Sequence, residues 1–180
     1  LPRSQAGDPG GAESVVLAPA LALSPGCIPL LLLGDEVAQL NDYTYADDPV
    51  RRGDTRWVHR GNRPRDAYAH RGDESTAAGR VFHRLTKLIS VRQQSPELAG
   101  NVLIPFHTPH AAVVGFQRPG PETRVLVLAN VGDAEVAIDP ITFSGFARSA
   151  FDLVHNADVD LDEGVALRPH GFVWLRVRPA

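Results

Sequence analysis

Ile28-Pro29-Leu30-Leu31-Leu32-Leu33-Gly34-Asp35-Glu36-Val37 is the stretch on which the fold turns. Its first part is a continuous apolar run of strand length, punctuated by Pro25-Gly26 before it and Gly34 after it. A strand apolar on both faces belongs in the middle of a parallel sheet or a barrel. From Asp35 to about Gly72 the chain is polar and without period, rich in Asp, Arg, Tyr, Gly and Pro. Loops longer than about 15 residues are uncommon in compact domains and tend to be functional. Beyond it, Ala78, Val81, Phe82, Leu85, Leu88 and Ile89 recur at three- and four-residue spacing. With Asp73 or Ser75 as cap and Ser95-Pro96 as stop, that spacing predicts a helix over 75–92. Strand 28–33, loop 35–72 and helix 75–92 make one β-loop-α unit. Its loop leaves the carboxyl end of the strand, where parallel α/β folds bind ligands.

Upstream, Val15 to Leu33 runs 19 residues without a charge. Pro19, Pro25 and Pro29 would break hydrogen bonds that lipid cannot replace, so the run reads as two buried elements rather than a membrane span. The first is a short apolar helix, Ala12 to Leu23, disturbed by Pro19. An export signal is disfavoured by Asp8 and Glu13 beside Arg3, and a soluble, cytoplasmic protein is expected. Downstream of Pro96 the pattern changes to short, partly alternating runs: Val102–Thr108, Ala112–Arg118, Arg124–Val131, Glu135–Ile138, Ala147–Leu153, Val165–Leu167 and Phe172–Val177. Turn signals about every ten residues predict a small antiparallel sandwich. The expected organisation is therefore α/β over 1–97 followed by an all-β domain over 98–180.

The composition limits the function classes. In 180 residues, Lys+Arg total 18 against Asp+Glu 21, a formal charge of -3, which leaves no basic surplus for nucleic acid. A single cysteine, Cys27, excludes an internal disulfide, and its apolar setting reads as an inert thiol. No Cys and His set has zinc-site spacing, and no cofactor motif is present. The chain contains no methionine and starts at Leu1, so it is expected to be a piece of a longer product. Its length is too short for a complete barrel of ~250 residues.

Several stretches in order carry a resemblance: Ile28 to Val37, then Leu40-Asn41-Asp42-Tyr43, Asp47-Asp48-Pro49, Gly53-Asp54-Thr55-Arg56-Trp57-Val58-His59-Arg60 and Ser75-Thr76-Ala77-Ala78-Gly79. From about residue 26 to 92 the chain resembles the carboxyl-terminal part of the amylosucrases, within the α-amylase family of glycoside hydrolases. The tail resembles that family's C-terminal β-domain more loosely. The resemblance implies the distal strand, loop and helix of a TIM (β/α)8 barrel, followed by a C-terminal antiparallel β-sandwich. It also implies retaining glucosyl transfer from sucrose to an α-glucan, without a cofactor. Such chemistry needs two carboxyl groups about 5–5.5 Å apart. In the family they follow earlier strands, so no catalytic residue is expected in this chain and it is expected to be inactive alone. The pattern departs at Pro19, Pro25, Cys27, Leu32, Gly61-Asn62-Arg63-Pro64 and His170, and Leu1 to Ala12 matches no part of it.

Arg56 is the foremost substrate-binding candidate. By resemblance it matches an arginine that lines the glucose pocket and pairs with an aspartate upstream of this chain, so here it is expected unpaired. A guanidinium offers a planar fork to a carboxylate and to sugar hydroxyls. Trp57 is a candidate stacking platform, with a loop anchor as the alternative. Asp54 is a candidate for substrate contact, and more simply orders the loop around Arg56. Asp35 and Glu36 leave the strand in opposite directions, which argues against a catalytic pair. Asp47, Asp48 and Asp54 lack the ordered spacing of a calcium loop, so no metal site is expected. His59 and His70 have no ligand partner at a telling interval.

Two other readings stay open. One is a carbohydrate- or protein-binding β-domain with no catalytic role; the other is a sibling enzyme such as a trehalose synthase or an oligo-α-glucosidase. For the isolated chain, a barrel strand without neighbours is expected to leave Ile28–Leu33 exposed and the front half prone to aggregate.

Overall fold

The computed structural model describes residues 11–180, with side chains from Ser14 onward. The charged stretch Arg3 to Asp8, weighed above against an export signal, lies outside the described residues. The chain packs as two units: one holds Leu31–Arg84, the other Glu13–Leu30 together with Leu85–Ala180.

The first helix, α1, spans Gly11–Leu23 and runs through Pro19 without a break. Val16, Leu17, Ala20 and Leu23 are its buried face, recurring at three- and four-residue intervals that suit one helical side. Proline removes a single amide donor from the ladder, and the burial of this face outweighs that loss. After α1 the sequence expectation fails. Ile28–Leu33 forms no strand, and Ile28 and Leu30 are 95% and 79% exposed. No parallel neighbour is available among the described residues, and a lone strand has nothing to satisfy its ladder. Its exposure is the expected one, without its pairing.

The polar stretch that follows is built from short pieces. Single 3-10 turns occupy Asp35–Val37, Thr44–Asp47 and Thr55–His59, and a five-residue helix, α2, occupies Arg65–Ala69. Helix α3 runs Ala77–Gln94. Ala78, Val81, Leu85 and Leu88 are buried along it, as the periodicity requires. Thr76, rather than Asp73 or Ser75, caps it: the Gly79 N–H donates to Thr76 Oγ1 at 2.9 Å. Asp73 instead closes the preceding turn, accepting from the Ser75 N–H at 2.9 Å.

The β-domain follows the predicted strands closely. β1 (Ile104–Pro105), β2 (Val113–Pro119), β3 (Arg124–Asn130), β8 (Phe172–Val177), β5 (Ser149–Asp152) and β6 (Ala157–Asp160) form one antiparallel sheet in that spatial order. β4 (Val136–Ile138) and β7 (Val165–Leu167) pair as a second, two-stranded sheet. Register places Leu128 opposite Gly115 and Val173, and Leu126 opposite Gln117 and Leu175. Leu126, Leu128, Ala150, Leu175 and Val177 therefore share a face, and they pack with Ile138, Phe143, Leu161, Val165 and Leu167 as the core between the sheets. Each fully buried aliphatic there contributes ~1.5–3 kcal/mol relative to exposure.

The other face of the large sheet is also buried. Val125, Val127 and Trp174 on it are 0% exposed. On this face Arg118 and Arg176 flank Val125 in register, and both reach the chain segments laid against the sheet. Arg118 donates to the carbonyls of Ser24, Glu97 and Gly100. Arg92, near the end of α3, donates to those of Leu23, Pro25 and Cys27. Helix α1 carries no basic residue in its last turn. Two guanidiniums from distant parts of the chain supply the cationic cap that its carbonyls need.

Candidate functional site

The loop that the sequence singled out is closed on itself by backbone and side-chain bonds. The Asp42 N–H donates to the Val58 carbonyl at 2.8 Å, and His59 Nδ1 lies 3.1 Å from Asn41 Oδ1. Asp42 holds the turn before it, accepting from the Thr44 hydroxyl at 2.6 Å and the Thr44 N–H at 2.9 Å. Those two bonds, first the hydroxyl and then the amide, draw the Asp42 carboxyl below its ordinary value.

Asp54 caps the 3-10 turn Thr55–His59 and grips its second side chain, Arg56. Its Oδ1 accepts from the Arg56 backbone N–H at 3.0 Å and from Arg56 Nε at 2.8 Å, while Oδ2 accepts from the other prong of the guanidinium at 2.8 Å. The expected unpaired arginine is thus paired, within its own motif. The carboxylate two residues away takes two of the guanidinium's nitrogens. The Arg56 side chain remains 73% exposed, and among the described residues its third nitrogen is bonded neither to Asp54 nor to any other group. The side-chain hydrogen bonds from Arg56, and after them its backbone amide, pull Asp54 down to about 2.

Trp57 follows on the same turn and is half-buried. The Arg51 guanidinium carbon lies 4.6 Å from its ring centroid. Arg51 Nε is also 3.3 Å from Asp48 Oδ2, so one side chain bridges a carboxylate and an aromatic face. Asp48 further accepts from the Val50 N–H at 2.9 Å, which commits it to its own turn. Among the described residues, no group of three His, Cys, Asp or Glu side chains converges as a metal site.

Asp35 and Glu36 diverge, as their sequence adjacency implied. Asp35 accepts from the Leu32 N–H, whereas Glu36 accepts from the Gly34 N–H at 2.8 Å and from the Tyr68 hydroxyl at 2.6 Å. Burial raises Glu36, but the Tyr68 hydroxyl, the backbone donors and the Arg63 charge together leave it below the ordinary glutamate value. Gly34 sits at φ +108°, a region open to glycine, and this tight turn lets the Glu36 carboxylate fold back on it. Arg63 stacks at 4.2 Å on the Tyr68 ring. Sequence reading missed the Glu36–Tyr68 and Arg51–Trp57 contacts. His70 Nδ1 lies 2.8 Å from the Asp66 carbonyl and takes no part in these.

No family model matches the chain. Solved structures do match it. A maltogenic amylase from S. marinus aligns with a TM-score of 0.61 at 17% identity, over 93% of this chain and 20% of that one. An Anoxybacillus α-amylase aligns at 0.61 and 16% identity, over 94% and 33%. An isomaltulose synthase from Klebsiella sp. LX3 aligns at 0.63 and 16%, over 92% and 38%. The chain spans a fifth to two fifths of the length of these enzymes. No helix among the described residues is long and apolar enough to cross a membrane. The mixed α/β architecture of the chain, with its antiparallel β-sheet, matches the C-terminal β-domain of α-amylase-family enzymes.

Proposed function

We propose that this chain is the C-terminal part of an amylosucrase-like retaining α-glucosyltransferase, in which glucose passes from sucrose to the end of an α-glucan. The observation that carries the reading is the Asp54-Thr55-Arg56-Trp57 turn, which presents a largely exposed Arg56 guanidinium to solvent, two of its nitrogens on Asp54. A fork of that kind can take sugar hydroxyls or a second carboxylate. Retention needs a nucleophilic carboxylate and a general acid on opposite sides of the bond being cleaved. In this reading both belong to the part of the enzyme preceding these residues. Arg56 then positions the glucosyl ring, and the chain alone transfers nothing. A cytoplasmic location belongs to the same proposal and is checked by cell fractionation.

The test is to isolate the native polypeptide that carries residues 26–92, weigh it, and assay fructose release and glucan growth from sucrose. The expected result is a mass well above 19.4 kDa and sucrose-dependent glucan. Arg56→Ala should lower kcat/KM by about 10²-fold, the scale of losing one positioned donor at a reacting centre. A polypeptide of full barrel length that ignores sucrose but converts maltose would overturn the substrate and leave a sibling specificity.

A further inference from the structure

We infer that Arg51 is a displaceable cap on Trp57, and that the ring face it covers is a stacking site for one glucose ring of an α-glucan. The inference rests on the saccharide reading above and deepens it at a residue that reading does not use. Arg51 stands 4.6 Å over the indole, within the distance at which a cation is held by an aromatic face. Its second hold is the 3.3 Å pair with Asp48, whose two side chains are 44% and 38% exposed. Both contacts are wet, and exposed pairs of this kind are weak. An aromatic face can pack the apolar side of a pyranose ring, but the guanidinium occupies that position in the unliganded chain. Once displaced, it stays tethered to Asp48 at the side of the ring. The second indole does not compete, because Trp174 is 0% exposed.

The test uses the full chain with maltoheptaose as the probe. The chain has only two tryptophans, so acrylamide quenching separates the partly exposed indole from the buried one, and Trp57→Phe assigns the signal. Maltoheptaose should protect Trp57 from quencher and shift its emission. Arg51→Ala should make Trp57 more accessible without ligand and tighten maltoheptaose by about two- to five-fold, the equivalent of one exposed cation–π contact. Asp48→Asn, which loosens the tether and keeps the arginine, should shift both readouts in the same direction. Weaker binding in Arg51→Ala would overturn the cap and make Arg51 a plain sugar contact. Absence of any maltoheptaose effect on Trp57 would overturn the stacking site. Neither outcome touches the sucrose assay on the longer polypeptide, so the two readings fail separately.

Discussion

Arg118, on strand β2, donates from its guanidinium to the carbonyl of Ser24, 3.2 Å away at the end of a helix 94 residues earlier. The arginine is fully buried and makes no ion pair among the described residues; burial, and after it the charge of Arg92, lower its affinity for its proton. Its Nε has no hydrogen-bond partner among the described residues. Two effects therefore oppose each other when it is replaced. Removing a desolvated cation is favourable, while orphaning the carbonyls of Ser24, Glu97 and Gly100 costs about 1–3 kcal/mol for each that water cannot reach. The carbonyls outnumber the single orphaned donor, so Arg118→Met should destabilise the chain by roughly 3 kcal/mol. Arg118→Lys should recover little, since an ammonium cannot reproduce the planar fork. Urea unfolding measures both, and an unchanged midpoint in the Met variant would show that α1 does not depend on this cap.

Glu97 makes the acid limb of stability predictable. Its carboxylate is 4% exposed and accepts from Arg176 at 2.8 and 3.1 Å and from the Thr123 hydroxyl at 2.6 Å. Burial raises its pKa, and the Arg176 and Thr123 bonds outweigh that, so the folded value lies below the ordinary 4.5. A depressed carboxylate contributes stability above its unfolded value and loses it as pH falls through the folded one. The contribution should be complete at neutral pH and decline below about pH 4.5. Glu97→Gln should cost about 1–3 kcal/mol at pH 7, discounted because a third of the Arg176 side chain is solvated. The same variant should flatten the loss of stability below pH 4.5. Thermal unfolding from pH 3 to 7 reads both effects, and parallel curves for the two proteins would exclude Glu97 as the titrating group.

Much of the β-domain was legible because its strands alternate between two cores and end at Gly, Pro and Asp turns. β7 and β8 begin and end where the pattern put them. β6 escaped because its side chains read Ala157-Asp158-Val159-Asp160 and are mostly exposed, so charge on an edge strand masked the ladder. Ile28–Leu33 was misread for the opposite reason. Apolar character reports what a segment would bury, and a strand also needs a neighbour to pair with. The site was legible in its motif and not in its contacts. Asp54 and Arg56 are two residues apart and could meet in any fold, whereas Glu36–Tyr68 and Glu97–Arg176 span 32 and 79 residues and depend on the tertiary path.

The Asp54–Arg56 clasp should titrate as a local unit. Asp54 is held down to about 2 against an ordinary 3.8, first by the side-chain bonds of Arg56 and then by its amide. Arg56→Ala removes the first cause and leaves the second. The Asp54 midpoint should therefore move up from about 2 and stop short of 3.8. Because the depressed group keeps its charge down to about pH 2, the clasp persists from neutral pH to about that value. Carboxyl carbon NMR of the Asp54 resonance measures this. A midpoint unmoved by the substitution would mean that the amide alone holds the carboxylate.

The exposed ribbon sets the solution behaviour of the chain. Leu30 and Leu33 are 79% and 71% exposed, next to Ile28 at 95% and Leu32 at 56%. Together they form a contiguous apolar run whose backbone has no ladder, the combination that recruits other chains. Leu30→Lys with Leu33→Lys should lower concentration-dependent light scattering and dye binding, because two like charges on adjacent copies repel where apolar side chains had attracted. Folding stability should change by less than about 0.5 kcal/mol, since solvated positions contribute little burial to lose. Scattering and thermal melting on the same samples separate the two effects. Unchanged scattering would place the association elsewhere on the surface. A large drop in melting temperature would show instead that these leucines are buried in solution, which would require a partner strand.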